Sequence, residues 1–124
     1  MREVSVGENL DQYKLTEVIA RSGMASIFKA IDQISGQTVA IKVPYMQFES
    51  DVVFYGRFQR EEEVGRRLNH PGIVKVLSDD ERSRRYMVLE WVDGRLLRQL
   101  LNEKKILPPE RAIRITLAIG KALE

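Results

Sequence analysis

The clearest structural signal in this chain is the run Thr38-Val39-Ala40-Ile41-Lys42-Val43, which Pro44 closes. Its larger apolar residues alternate with Ala40 and Lys42, and a period of two predicts a strand with one buried face. Lys42 is the one charged residue of that strand. Such a lysine either points to solvent and protects a sheet edge, or reaches a carboxylate and holds an anion such as phosphate. The strand alone leaves both interpretations open.

Short apolar runs on both sides of this strand predict a sheet. The five expected strands span residues 13–19, 25–31, 38–43, 73–77 and 86–91. Ser22-Gly23 and Ser35-Gly36 are turn signals between the first three strands. Because those connections are short, the strands should pair antiparallel.

A helical period follows over residues 51–69, with Ser50 or Asp51 as the N-cap. Asn69-His70-Pro71-Gly72 is a strong terminator of that helix. One helix covering one face of a five-stranded antiparallel sheet is an α+β fold.

Two more helices are expected after the strands, at residues 96–102 and from Pro108-Pro109-Glu110 onward. The last one is apolar around most of its circumference, which is typical of a helix inside a larger core. It runs to Glu124 without a terminating glycine or proline, so the chain is expected to be cut within this helix. The alternative is a natural C-terminal helix that packs on the sheet or in a dimer.

One face of the helix at 51–69 carries a carboxylate among apolar and small residues. The residues of this face are Phe54, Phe58, Glu61, Gly65 and Leu68. Glu62 and Glu63 each have an arginine four residues later, but Glu61 has Gly65 there, and Arg57 could reach it from the preceding turn. If Glu61 points toward the sheet, its charge needs a cation, and Lys42 offers one.

Gly65 itself needs a reason, because glycine in a helix interior costs about 1 kcal/mol relative to alanine. Either the helix bends there, or another segment packs too close for a side chain.

The amino-acid composition limits the classes of function that this chain can have. The 124 residues, 44% hydrophobic and 31% charged with a net charge of +2, fit one globular domain. The absence of cysteine excludes disulfides, thiolate metal sites and a cysteine nucleophile. No apolar run reaches the roughly 18–20 residues of a membrane span, and the start lacks the apolar core of a signal peptide. We therefore expect these residues to be cytoplasmic, and the alternative of a parent protein with a membrane anchor further downstream stays open.

Nucleic acid is not an expected partner. Arg82, Arg84 and Arg85 form a small basic cluster, but acidic residues at 79–81 flank it. This stretch is interpreted as a solvated turn between two strands.

Val39-Ala40-Ile41-Lys42 resembles the strand-lysine motif of protein kinases, in which the lysine pairs with a glutamate on the next helix. Ile19–Ala30 resembles the nucleotide loop of the eukaryotic-like serine/threonine kinases of bacteria. Segments similar to their later motifs follow in order at Arg57–Glu61, Asn69–Val74 and Tyr86–Gly94. The resemblance extends from about Leu10 to the end of the chain.

This resemblance implies a kinase-like N-lobe with nucleotide loop and hinge over residues 10–92, after an N-terminal extension at 1–9. Residues 93–124 would begin an incomplete C-lobe. The implied activity of the parent protein is phosphoryl transfer from ATP to serine or threonine of a protein substrate. ATP is the implied cofactor, with Mg²⁺ only in a complete parent kinase.

The resemblance also implies roles for single residues. Lys42 would hold the α- and β-phosphates, and Glu61 would orient Lys42. The adenine slot would be lined by Ile19, Ile27, Ala40, Val74 and Leu89, with the backbone of Glu90 and Val92 on the adenine edge. His70, the only histidine, would stabilise the turn after the helix.

The nucleotide loop departs from the family pattern. The three glycine positions hold Ala20, Ser22 and Ala25, and only the extra glycine, Gly23, remains. A β-carbon costs about 1–2 kcal/mol wherever the backbone must be left-handed, so weakened ATP binding is expected. The Ser22 hydroxyl could donate to a phosphate.

The family's H-R-D-x-x-x-x-N catalytic loop and its metal-binding D-F-G have no counterpart here. These residues alone are therefore expected to be inactive. The alternative function is a non-catalytic, pseudokinase-like regulatory or protein-interaction module. The apolar last helix predicts self-association of the isolated chain.

Overall fold

The computed structural model describes residues 4–78, 81–95, 97–104 and 106–123. The strands in the described residues form one five-stranded sheet. They are β1 (Asn9–Leu10), β2 (Tyr13–Arg21), β3 (Ala25–Asp32), β4 (Thr38–Pro44) and β5 (Met87–Glu90). They lie in the order β1-β2-β3-β4-β5, with every neighbouring pair antiparallel. The predicted α+β fold with a five-stranded antiparallel sheet is confirmed.

One of the five predicted strands is wrong. The segment 73–77 makes a single isolated bridge, between Val76 and Leu89 of β5. The Lys75 amide donates to the side chain of Glu90, at 2.9 Å to Oε1, and a side-chain acceptor of this kind competes with regular strand pairing. The fifth strand is instead the two-residue β1, which is too short to show a period in the sequence.

The turn between β3 and β4 is the predicted one at Ser35-Gly36. Gly36 has a φ of +77°, and its amide donates to the Asp32 carbonyl at 2.7 Å. Asp32 also accepts the Ile34 amide on its carboxylate at 2.9 Å. Glycine is needed here because other residues rarely adopt this left-handed backbone.

The hydrophobic core lies on one face of the sheet. Its buried members are Leu10, Tyr13, Leu15, Phe28, Ala30, Val39, Ile41, Val43, Tyr86 and Val88. Alternation along β3 and β4 puts every second residue into this core, as the pleat of a strand requires. The intervening residues lie on the other face.

Helix α1 (Val52–Arg67) follows a 3₁₀ turn at Met46–Phe48. Of the two predicted caps, Asp51 is the N-cap, because its carboxylate accepts the Phe54 amide at 3.0 Å. The Phe54 ring lies 5.2 Å from that of Phe48 and 6.2 Å from that of Phe58. This aromatic row ties the first two turns of α1 to the segment before it.

The chain divides into two compact units, 1–68 with 75–91 and 69–74 with 92–124. The second unit contains α2 (Leu97–Lys104) and α3 (Pro109–Leu123). The predicted helix at 96–102 thus extends further, and Leu96 lies outside the described residues. No residue of α3 is buried, and Leu117 is 61% exposed.

His70 lies in the second unit and shapes the turn that it was predicted to stabilise. Its Nδ1 accepts the Gly72 amide at 2.8 Å, and its carbonyl accepts the Ile73 amide at 3.0 Å.

Within the described ranges, every helix is too short or too polar to cross a bilayer.

Candidate functional site

Lys42 and Glu61 meet beside the sheet. Lys42 Nζ lies 3.1 Å from Oε1 and 3.4 Å from Oε2 of Glu61, although the two residues are 19 positions apart. The Lys42 side chain is 26% exposed and the Glu61 side chain 57% exposed. The ammonium is therefore paired and still open to a ligand from solvent.

The strand pattern explains where Lys42 points. Val39, Ile41 and Val43 are at most 2% exposed and fill the core. Ala40 and Lys42 alternate with them, so they lie on the opposite face. Of the two interpretations that the strand left open, the structure has the one in which Lys42 reaches a carboxylate.

Helix α1 explains where Glu61 points. Phe58 is the one buried apolar residue of α1, at 7% exposure, and its burial fixes the second turn of the helix. Glu61 follows three residues later and lies on a neighbouring part of the same face. The helical period determines which face of α1 carries Glu61. The distance from Glu61 to Lys42 depends on the packing between α1 and the sheet.

Several predicted adenine-slot residues share the face of Lys42. Two cross-strand rows run over β3, β4 and β5: Ile27–Lys42–Met87 and Lys29–Ala40–Leu89. Ala20 of β2 extends the first row by pairing with Ile27. Cross-strand neighbours lie on one face of a sheet, so Ala20, Ile27, Ala40, Lys42 and Leu89 are brought together.

Ile19 lies at an irregularity of β2, where the register with β3 shifts between Val18 and Ala20, and it is 37% exposed. At the opposite side of the sheet, in β5, the amide of Glu90 donates to the Lys75 carbonyl at 2.9 Å. Any adenine contact of Glu90 would therefore use its carbonyl. Val74 and Val92 belong to the second unit, and their predicted roles stay predictions.

The turn between β2 and β3 is closed by Ser22. Its hydroxyl oxygen accepts the amides of Met24 at 3.2 Å and Ala25 at 3.0 Å, and it lies 3.2 Å from the Ala25 carbonyl. The Ser22 carbonyl accepts the phenol of Tyr45 at 2.8 Å. The hydroxyl that was expected to be available to a phosphate is thus engaged within its own turn.

The loop residues do not adopt the left-handed backbone for which a steric cost was expected. Among the described residues other than glycine, Asp11 alone has a positive φ, so Ala20, Ser22 and Ala25 are unstrained. Gly23 also lacks a positive φ, and a β-carbon there would meet open space. The turn thus combines engaged amides at Met24 and Ala25 with an unstrained backbone.

The basic cluster was interpreted as a solvated turn, and the structure corrects this. Arg82 binds Glu62 through two contacts, Nη1–Oε2 at 2.5 Å and Nη2–Oε1 at 2.9 Å. Arg84 binds Glu49 at 2.6 Å with only 7% of its side chain exposed. Acidic residues next to these arginines in sequence suggested local neutralisation, whereas the partners lie 20 and 35 positions away.

Arg85 also lies against α1, with its guanidinium carbon 3.3 Å from the centre of the Tyr55 ring. A second cation–π contact lies on the sheet face that carries Lys42, where Lys29 Nζ is 4.9 Å from the Trp91 ring centre. Sequence reasoning did not single out Lys29. Its alternation with Ile27 on β3 was the available signal.

Comparison with known proteins shows which family this sequence matches. The family described as "Protein kinase domain" matches residues 13–124. The chain is 40% identical over 118 residues to a probable serine/threonine-protein kinase of Streptomyces coelicolor, SCO3848, covering 91% of this chain and 18% of that protein. It is 35% identical to the serine/threonine-protein kinase PknB of Mycobacterium leprae, covering 91% of this chain and 19% of PknB. The chain thus spans less than a fifth of these relatives.

Solved structures are also similar to this chain in fold. A double mutant of the PknI kinase domain of Mycobacterium tuberculosis superposes with a TM-score of 0.81 at 27% identity, over 98% of this chain and 49% of that one. Rad53 (residues 1–466), solved in complex with AMP-PNP, matches 80% of this chain and 26% of that one, with a TM-score of 0.66 at 28% identity.

Proposed function

Because the chain belongs to the protein kinase family, we propose that its sheet and α1 form the nucleotide-binding lobe of a serine/threonine protein kinase. In the whole protein, this lobe would present ATP for transfer of its γ-phosphoryl group to a protein serine or threonine. The observation that carries the proposal is the 3.1 Å contact between Lys42 and Glu61 on the sheet face opposite the core. The lobe would work in the cytoplasm, where ATP is available.

Lys42 would bind the α- and β-phosphates. Its ammonium has three N–H donors, and contacts to Glu61 use one or two of them. A remaining donor and the positive charge are available to a phosphate oxygen, and Glu61 keeps the ammonium in place. The adjacent half-buried apolar residues Ile27, Ala40 and Leu89 would line the adenine slot. Rad53, which is similar in fold, was solved with an ATP analogue.

The residue roles extend to the slot edges. Ile19, Ala20, Ser22, Gly23 and Ala25 would cover the phosphates from the β2–β3 hairpin. Val74, Glu90 and Val92 would contact adenine from the hinge side. Residues 10–92 would form the lobe, and 93–124 would begin the C-lobe.

Mg²⁺ would be bound only in a complete parent kinase. Among the residues that the structure describes, no group of three His, Asp or Glu side chains could hold such an ion. The catalytic-loop and D-F-G motifs do not occur in this sequence, so we expect the 124 residues alone to bind nucleotide without transferring phosphate.

The test is a nucleotide titration of the full-length protein and its K42M variant, with K14M as the matched control. Lys14 is an exposed lysine on β2 and pairs with Ile31 at the far end of the hairpin. K42M should lower ATP affinity by about tenfold or more, since it removes a charge-assisted phosphate contact, and K14M should not. Equal affinity in K42M and the unmodified protein, with both folded by circular dichroism, would refute the site.

A non-catalytic, pseudokinase-like module is the second candidate, and the engaged amides of the Ser22 turn favour it. Those amides are the groups that a phosphate would need. Nucleotide binding without any phosphoryl transfer by the full-length protein would support this candidate, and autophosphorylation would exclude it.

A further inference from the structure

Two consecutive glutamates of α1 bind cations on different sides of the helix. Glu61 contacts Lys42 of β4, and Glu62 contacts Arg82 in the segment before β5. Consecutive helical residues are separated by about 100° around the axis, so the two ion pairs constrain the rotation of α1 about its axis from two directions.

The two pairs differ in burial. The Glu61 side chain is 57% exposed, whereas that of Glu62 is 9% exposed and that of Arg82 is 19% exposed. Exposed ion pairs contribute little because water screens them, whereas a buried two-contact pair holds both orientation and distance. The pair at Glu62 is therefore the stronger restraint on α1.

Apolar packing does not replace this restraint. Phe58 and Glu62 are the two buried residues of α1. A cavity of about 380 Å³, lined by Tyr55, Gln59 and Arg82 among others, lies between α1 and residues 82–86. Beside this cavity, polar contacts hold the helix, and the two-contact ion pair of Glu62 with Arg82 is one of them, together with the stacking of Arg85 on Tyr55.

Arg82 is itself held by the sheet. Its Nη1 also donates to the Tyr86 carbonyl at 2.6 Å. Tyr86 is 1% exposed in the core, and its phenol donates to Asp11 at the β1–β2 turn. Asp11 in turn accepts the Ser83 amide at 3.1 Å, beside Arg82. The guanidinium thus connects Tyr86, a buried residue next to β5, to α1.

From this arrangement we propose that Arg82 is a positioning residue. Through Glu62, it holds α1 in the rotation that places Glu61 within hydrogen-bond distance of Lys42, and so controls how well Lys42 is oriented for nucleotide. The inference rests on the proposed function of Lys42. It adds a residue that contacts neither Lys42 nor Glu61.

The test measures ATP affinity of the full-length protein with R82Q, E61Q and both substitutions combined. R82Q should weaken ATP binding by about tenfold, because a small displacement of a binding group has large effects. In the E61Q variant, adding R82Q should weaken ATP binding by less than a further twofold, since Arg82 acts through Glu61. R60Q, which alters an exposed arginine of the same helix, is the matched control and should change nothing.

The double variant separates positioning from a purely structural role. A structural role would give R82Q the same effect with and without Glu61, and this additivity would overturn the proposal. Amide hydrogen exchange of residues 52–67 should become faster in R82Q while the core strands stay protected. If R82Q fails to fold, R82K, which keeps the charge but loses the two-contact geometry, should give a smaller loss of the same kind, and unchanged affinity in R82K would overturn the proposal.

The nucleotide site can fail separately. If K42M leaves ATP affinity unchanged, the nucleotide site is refuted and this inference with it. If K42M weakens binding and R82Q does not, only the positioning role of Arg82 is refuted.

Discussion

Gly65 of α1 lies directly against Val76: a β-carbon built on Gly65 would be 2.4 Å from Val76 Cγ2. No real β-carbon contact is that short, so one of the two segments would have to move. Of the two reasons that the sequence left open for this glycine, close packing of another segment is the one found.

This contact predicts opposite effects of alanine at the two glycines of α1. G65A should lower the free energy of unfolding by about 1–2 kcal/mol, because overpacking outweighs the better helix propensity. G56A should raise it by about 0.5–1 kcal/mol, since a β-carbon at Gly56 meets open space. Urea denaturation of both variants measures the difference, and a stabilised G65A would contradict the contact.

The N-cap of α1 gives a second prediction. D51A should lower the free energy of unfolding by about 1 kcal/mol, because the Phe54 amide loses its carboxylate acceptor at 3.0 Å. S50A is the matched control at the neighbouring position that the sequence could not distinguish, and it should change stability by less than about 0.5 kcal/mol. An equal loss of stability in D51A and S50A would show that both residues cap the helix.

Ser22 gives a third prediction, on nucleotide affinity. S22G should raise the ATP affinity of the full-length protein by about fivefold, since two amides become available to phosphate. S35G, in the β3–β4 turn, is the control and should leave affinity unchanged. A weaker affinity in S22G would mean that the hydroxyl itself binds the nucleotide.

The hydrogen bond from Tyr86 to Asp11 predicts a pH dependence. Burial raises the pKa of Asp11, but its hydrogen bonds to Tyr86 and Ser83 outweigh this effect and lower the pKa below its ordinary value. A lowered pKa contributes stability above about pH 4 that is lost as pH falls through the folded-state value. Burial and Asp11 raise the pKa of Tyr86, and this contribution is lost only as pH rises above about 10.

Y86F should therefore lower the free energy of unfolding by about 1 kcal/mol at neutral pH. The difference from the unmodified protein should shrink on acidification below about pH 4. Urea denaturation at pH 7 and pH 3 measures it. A difference that does not depend on pH would contradict the role of the Asp11 charge.

Helix α3 predicts that the isolated 124-residue chain self-associates. Ile113 is 59% exposed, Leu117 61% and Leu123 79%, so several large apolar side chains of this helix face water. The double variant I113K/L117K should reduce the concentration dependence of the weight-average mass in sedimentation equilibrium. Arg98→Lys on α2 is a control that should not. A monomer at all concentrations before substitution would contradict this prediction.

Strand and helix positions were largely predictable because the patterns are local. Alternation at 38–43 and the helical period at 51–69 both led to the observed elements. The strand predicted at 73–77 failed because the Glu90 side chain takes the Lys75 amide, a contact between residues 15 positions apart. The arginines at 82–85 were misjudged for the same reason, since their partners on and before α1 are distant in sequence.

The sequence by itself determined that Lys42 alternates with the core residues of its strand and that Glu61 shares a helix face with Phe58, because both follow from backbone period. The family followed from motifs in order along the chain. Only the tertiary structure decided that Lys42 meets Glu61, that Glu62 meets Arg82 and that Ser22 occupies the amides of its own turn. Those contacts depend on distances between elements, and packing sets these distances to within the few tenths of an ångström that an ion pair or hydrogen bond requires.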